Sequence, residues 1–215
     1  MEPLRVDVWS DVACPCCHLG HAHLQAASRA AGIALDVRFR SYQLAPDMTG
    51  SRPANAYVEQ KYGDAAMVEG MRQRLTAAGD AHGIGFDFER AVASNTFDAH
   101  RLHHFAMQEG QGEAVMTRLL RAMHEEGADM SDHAVLTSLA ADAGLDADAV
   151  RDVLAGDAFA DAVRADVEAA RRMGVSGVPF FVVAGRWALS GAQPVEVFQQ
   201  ALRTAHQHTQ EAPSV

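Results

Sequence analysis

Residues 4–9 alternate in character, with Leu4, Val6 and Val8 on one face and Arg5 and Asp7 on the other. A period of two predicts a half-buried strand. Residues 33–43 repeat it, with Ile33, Leu35, Val37 and Phe39 alternating with Ala34, Asp36, Arg38 and Arg40, until Ala45-Pro46-Asp47 ends the run. Between the two strands, Ser10-Asp11-Val12-Ala13 predicts a turn into a helix that opens near Cys14-Pro15. Proline suits the first helical position because it has no N–H to lose and its φ is preset. Gly32 predicts the C-terminal stop of that helix.

From about residue 53 to 173, Ala, Glu, Asp, Arg, Leu and Met dominate, with breaks at Gly63, Gly79, Gly83-Ile84-Gly85, Gly110-Gln111-Gly112, Gly127 and Gly144. This predicts about six helices, with Ser131 and Asp157 as N-caps. Phe86-Asp87-Phe88 is the one expected extended piece. Strand signals return at Phe180-Phe181-Val182-Val183 and Trp187-Ala188-Leu189, with a turn at Gly185. Pro194 opens a last helix through Val195, Val197, Phe198 and Leu202, and residues 206–215 are expected to be a flexible tail. The expected class is α/β: strand-helix-strand, a helical block, then strand-strand-helix. One split layer (1–48 and 174–205) carries an all-helical insertion (49–173).

Composition narrows the function classes. The 48% hydrophobic and 21% charged content over 215 residues is that of an ordinary globular protein. A formal charge of −10 without any basic cluster argues against nucleic acid and anionic membranes as partners. No basic n-region precedes a long apolar stretch, and no apolar run reaches bilayer-spanning length, so a cytoplasmic location is expected. In a reducing compartment, three close cysteines point to catalysis, redox sensing or metal binding rather than to structural disulfides.

Those cysteines, Cys14, Cys16 and Cys17, are the only ones in the chain. A Cys-x-x-Cys pair after a strand and at a helix start suggests thiol–disulfide exchange. The helix N-terminus offers unpaired N–H groups and the positive end of the macrodipole, which favour a Cys14 thiolate. Cys17 lies one turn on, on the same face, and is expected to be buried and to resolve the mixed disulfide. On a helix, Cys16 is expected to face away as a bystander, with tuning of the potential or alternative resolution as the lesser readings. His18 or His21, if protonated, is a candidate stabiliser of the thiolate.

In Gly174-Val175-Ser176-Gly177-Val178-Pro179, a proline entering a strand marks an edge or a strand start. Beside a Cys-x-x-Cys it also suggests a cis peptide, with the Val178 backbone free to pair with an extended substrate. Two other readings concern metal and haem. Cys14, Cys16, Cys17, His18, His21 and His23 offer soft ligands for zinc or copper, although adjacent helical cysteines diverge. Cys14-Pro15-Cys16-Cys17-His18 also fits the C-x-x-C-H haem-attachment spacing, but the strand leading into it does not suit that fold.

Five stretches occur in order: Val6-Asp7-Val8-Trp9-Ser10-Asp11 leading into Cys14-Pro15-x-Cys17-x-Leu19-Gly20; Tyr42-Gln43-Leu44-x-Pro46-Asp47; Asn95-Thr96-x-x-Ala99-His100-Arg101-Leu102; Gly174-Val175-x-Gly177-Val178-Pro179; and Ser190-Gly191-Ala192-Gln193-Pro194. Together they resemble the DsbA-like branch of the thioredoxin superfamily, most closely its FrnE-type disulfide oxidoreductases. The resemblance implies a thioredoxin-like fold interrupted by a helical domain. Cys14 is then the nucleophile, Cys17 the resolver and Pro179 the cis-proline. It implies no resident cofactor, with glutathione a candidate co-substrate, and protein or small-molecule thiols and disulfides as partners. That family usually has Trp and Tyr where Cys16 and His18 stand. The 2-hydroxychromene-2-carboxylate isomerases of the same superfamily share the insertion but typically place Ser where Cys14 stands, so two intact cysteines argue against isomerase chemistry. Asn95, His100 and Arg101 remain candidates for a small-molecule pocket in the insertion, against a capping or packing role.

Overall fold

The computed structural model describes residues 2–211. The period-two segments become β1 (Leu4–Ser10) and β2 (Leu35–Ser41), paired in parallel from Leu4 opposite Leu35 to Ser10 opposite Ser41. Helix α1 (Pro15–Ala31) links them. Cys14 is its N-cap and Gly32 its C-cap; at φ 67° Gly32 sits in the left-handed region, where its N–H reaches the Arg29 and Ser28 carbonyls.

The chain then leaves the sheet. It forms a two-residue ladder, β3 (Arg52–Pro53) with β4 (Val92–Ala93), around α2 (Ala54–Tyr62) and α3 (Ala65–Asp80). Next come α4 (Phe97–Gln108), α5 (Gly112–Arg121), a π-turn (Ala122–Glu126), α6 (His133–Asp142), α7 (Ala147–Ala155) and α8 (Ala160–Arg172). It returns as β5 (Phe180–Val183), β6 (Trp187–Ser190) and α9 (Val195–Glu211). The sheet order is β2-β1-β5-β6, with β5 antiparallel to both β1 and β6.

The alternation along the strands gives the sheet two covered faces. Val6, Val8, Phe181 and Val183 pack with Leu24 of α1 and Phe198 and Leu202 of α9. Trp9 packs on the other face with Ala170 of α8, Val175 and the partly buried Phe180 and Val182. Its indole Nε1–H donates to the Asp166 carbonyl at 3.1 Å. The first of these clusters continues into Leu102, Leu119, Leu136, Leu139 and Leu154, so one apolar core runs from the sheet into the helices.

The α/β class is as expected, with local corrections. Residues 86–88 form no strand; the short ladder lies at Arg52–Pro53 and Val92–Ala93 instead. Helix α6 is capped by Asp132, whose carboxylate accepts from Ala134 N and Val135 N, rather than by Ser131. Helix α8 starts after Phe159, not Asp157. The expected tail is helical as far as Glu211, and the rest of it, residues 212–215, lies outside the described residues.

Candidate active site

The end of β1 and the start of α1 bring the three cysteines together, all as free thiols. Cys14 is 7% exposed and Cys17 2%, while Cys16 is half-buried. The turn before them is built on Asp11. Its Oδ1 accepts from Ala13 N at 3.1 Å and its Oδ2 from Leu44 N at 2.7 Å, with His100 Nε2 3.4 Å from Oδ1. Burial opposes ionisation of Asp11, but the His100 contact and the two N–H groups outweigh it and hold the carboxylate charged.

The Val178–Pro179 peptide is cis. The Cys14 thiol donates to the Val178 carbonyl at 3.5 Å. Pro179 in turn rests against α1 at Gly20, where an added Cβ would stand 3.0 Å from Pro179 Cγ and 3.2 Å from Phe181 Cζ. The absence of a side chain at Gly20 is what lets this strand approach the helix.

Contrary to the expectation from the helix dipole, the Cys14 thiol is held protonated. The Cys16 thiol lowers its pKa, but the Cys17 contact and burial raise it more, and the net direction is well up. The bond to Val178 fits this direction, because only the protonated thiol can donate it. Cys16 is also raised, chiefly by the Cys14 sulfur.

Cys14, as the N-cap, has extended backbone at φ −99° and ψ 111°. Half-buried Cys16 packs against the cluster of Leu19, Leu75 and Ile84 as well as against the main core.

His18 does not serve the thiolate either. Its Nε2 is 3.0 Å from Glu125 Oε1, its ring lies against Phe86 and His124, and burial lowers its pKa despite Glu125. His124 Nε2–H donates to the Val12 carbonyl at 2.9 Å, in the turn that leads to Cys14. The π-turn aims His124 and Glu125 at α1. Nothing in the sequence pattern marks these two residues, and Asp11 stands both in the turn and in the stretch leading into Cys14 without a sequence signal for the bonds it accepts.

The remaining histidines near the thiols diverge. His21 Nε2 approaches Thr117 and Glu113, and His23 Nδ1–H donates to Gln193 O at 2.8 Å. Among the described residues no three His, Cys, Asp or Glu side chains are grouped to hold a metal ion.

Asn95, His100 and Arg101 are occupied by the protein itself. Asn95 Nδ2 donates to Pro46 O and Met48 O, and its Oδ1 accepts from Phe97 N. His100 is fully buried against Asp11. Arg101 donates to Asp98 and to the carbonyls of Val153, Gly156 and Ala158. Surface cavities of about 510, 360 and 700 Å³ are lined by other residues. Among the described residues no helix is long and apolar enough to cross a membrane.

A family model described as a DSBA-like thioredoxin domain matches residues 5–203. The chain belongs to the DsbA-like thioredoxin family. The DsbA-like assignment extends to solved structures. A probable DsbA oxidoreductase from Streptomyces coelicolor is 37% identical, with TM-score 0.90, over 99% of this chain and 92% of that one. A 2-hydroxychromene-2-carboxylate isomerase is 17% identical, with TM-score 0.73, over 98% of this chain and 100% of that one, a likeness of fold. The cytosolic disulfide reductase DsbM from Pseudomonas aeruginosa, solved with GSH, is 23% identical with TM-score 0.64, over 95% of this chain and 100% of that one. DsbA-like membership places the chain among thiol–disulfide oxidoreductases.

Proposed function

We propose that Cys14 is the nucleophile and Cys17 the resolving thiol of a disulfide exchange on protein or small-molecule disulfides. Cys14 attacks one substrate sulfur and the other leaves as a thiol. Cys17 then attacks Cys14, releases the second thiol and leaves a Cys14–Cys17 disulfide, and the reverse sequence oxidises substrate thiols. The observation that carries this reading is the Cys14 sulfur at the helix start, 3.5 Å from the Val178 carbonyl and in contact with Cys17.

Val178 also supplies the gate. An extended substrate that pairs with the Val178 backbone takes over its carbonyl, frees the Cys14 S–H and lowers the cost of the thiolate. Pro179 holds that strand end beside α1. The location we favour is a reducing compartment, as for the cytosolic DsbM; glutathione, present in the DsbM structure, is the candidate electron donor. Asn95, His100 and Arg101 support the scaffold in this reading and do not touch substrate.

The test is thiol mapping by mass spectrometry after equilibration in glutathione buffers of stepped ratio, with Cys14→Ser as control. A Cys14–Cys17 pair that forms across that range, together with loss of insulin-reducing turnover in the control, is the expected result. If the two never pair, or Cys14→Ser retains full turnover, the assignment is wrong.

A further inference from the structure

We propose that His124, on the π-turn between α5 and α6, is a positioning residue for the redox pair, acting on Cys14 through the Val12 carbonyl. The inference rests on Cys14 and Cys17 being the exchanging thiols. Residues 11–14 join the end of β1 to the start of α1. Asp11 closes this turn on itself: its carbonyl accepts from Cys14 N at 3.0 Å and its Oδ1 from Ala13 N at 3.1 Å. Its Oδ2 ties the turn to Leu44 N. His124 holds the middle, with Nε2–H donating to the Val12 carbonyl at 2.9 Å. Val12 is fully buried and His124 nearly so, and bulk water therefore does not replace a lost donor. The donor is itself braced. The His124 carbonyl accepts from Asp87 N at 2.8 Å, and its ring lies 6.0 Å from Phe86, edge-on, and 6.2 Å from His18, stacked. Gly127, which ends the π-turn at φ 72°, packs so closely that an added Cβ would collide with the Arg90 carbonyl. Turns of this kind are rare and recur at functional sites.

Resolution is the step that depends on this brace. The Cys17 thiol loses its proton and attacks Cys14 Sγ, the bond from Cys14 to the substrate sulfur breaks, and the substrate leaves as a thiolate that takes up a proton. A disulfide tolerates only about 4.4–6.8 Å between Cα atoms and a narrow range of dihedral angle. Cys17 rides on α1, whereas Cys14 is an extended N-cap, so its side-chain direction follows the turn rather than the helix. With the Val12 carbonyl released, the turn samples other positions, and the effective concentration of Cys17 at the Cys14 sulfur falls. Resolution slows, and the Cys14–Cys17 disulfide becomes easier to reduce. The first attack of Cys14 on a small disulfide is bimolecular and does not use the geometry of the pair, so it is spared. A side chain 110 residues beyond Cys14 in sequence (124 − 14) thus sets the redox poise of the pair.

The test uses the full chain as wild type, His124→Phe and His124→Gln, each checked for folding by circular dichroism. Phenylalanine keeps a ring between Phe86 and His18 but has no N–H, whereas glutamine keeps a donor of about the same reach. Equilibration in glutathione buffers gives the equilibrium constant of the Cys14–Cys17 disulfide. Stoichiometric 5,5′-dithiobis(2-nitrobenzoate) gives the rates of the first and second thiolate releases. His124→Phe is expected to lower the equilibrium constant and the second rate by about tenfold while the first stays within about twofold, and His124→Gln to restore both. A His124→Phe protein with an unchanged equilibrium constant and second rate overturns the inference, as does one whose two releases slow equally or a His124→Gln protein that behaves like it. In each of these cases the function proposed above stands. A wild type that never forms the Cys14–Cys17 disulfide overturns that function instead. Should His124→Phe fail to fold, nitrogen-15 NMR of wild-type histidines decides: a His124 Nε2–H signal that shifts between the reduced and oxidised forms supports the inference, and one that does not move refutes it.

Discussion

Acidification from pH 8 to pH 5 should cost this protein about half of a typical domain's stability, because it buries histidines in the neutral state. Burial pushes His103 and His124 down to about 3 and His21 to about 4. Neighbouring groups act in the same direction: His18 on His21 and on His124, and His104, His100 and Arg40 on His103. The Val12 carbonyl and Asp11 oppose it only in part at His124. In the unfolded chain each imidazole titrates near 6.5, so between that value and the folded one the unfolded state binds more protons and stability rises with pH. Above about pH 6.5 the term vanishes, and at pH 5 each of the three costs about 2 kcal/mol. Together that is about 6 kcal/mol, against roughly 5–15 kcal/mol for a whole domain. Asp7, Asp11, Asp98 and Asp129, whose pKa values are lowered in the fold, lose their contribution only below the unfolded carboxylate range, near pH 4. Urea unfolding at pH 8, 6.5, 5.5 and 5 measures the effect, and His103→Leu should flatten the slope by about a third. A free energy of unfolding that changes by less than about 1 kcal/mol over that range refutes the buried neutral histidines.

Two further variants probe the scaffold. Arg101→Ala strands the carbonyls of Val153, Gly156 and Ala158 along with Asp98, and should lower the unfolding free energy by about 3 kcal/mol. Denaturant midpoints check this, and a loss under about 0.5 kcal/mol would show that these bonds are replaced by water. Gly20→Ala forces a methyl to within 3.0 Å of Pro179 Cγ. It should cost about 1–3 kcal/mol and reduce kcat/KM as the Val178 strand is pushed from Cys14, and unchanged values of both would mean that the strand is free to shift.

The sheet and α1 were legible because their signals are local. A period of two over Leu4 to Ser10, a proline at the helix start and a glycine at its end each act within a few residues. Caps failed where two candidates compete at adjacent positions, as with Ser131 and Asp132. His18 was misread because the partner that claims it, Glu125, is 107 residues away on a π-turn. Arg101 shows the same limit: an arginine that collects carbonyls and one that lines a pocket look alike until the distant chain is placed.

The sheet's central pairing of β1 with β5 also sets a clock during synthesis. Cys14 and the carbonyl that guards it are 164 residues apart. At about 5–20 residues per second, the ribosome needs roughly 8–30 s to pass from one to the other. For that interval the three thiols are on a nascent chain without β5 or the carbonyl that holds the Cys14 proton. The newborn protein is thus most open to mispairing with other thiols before β5 has been made.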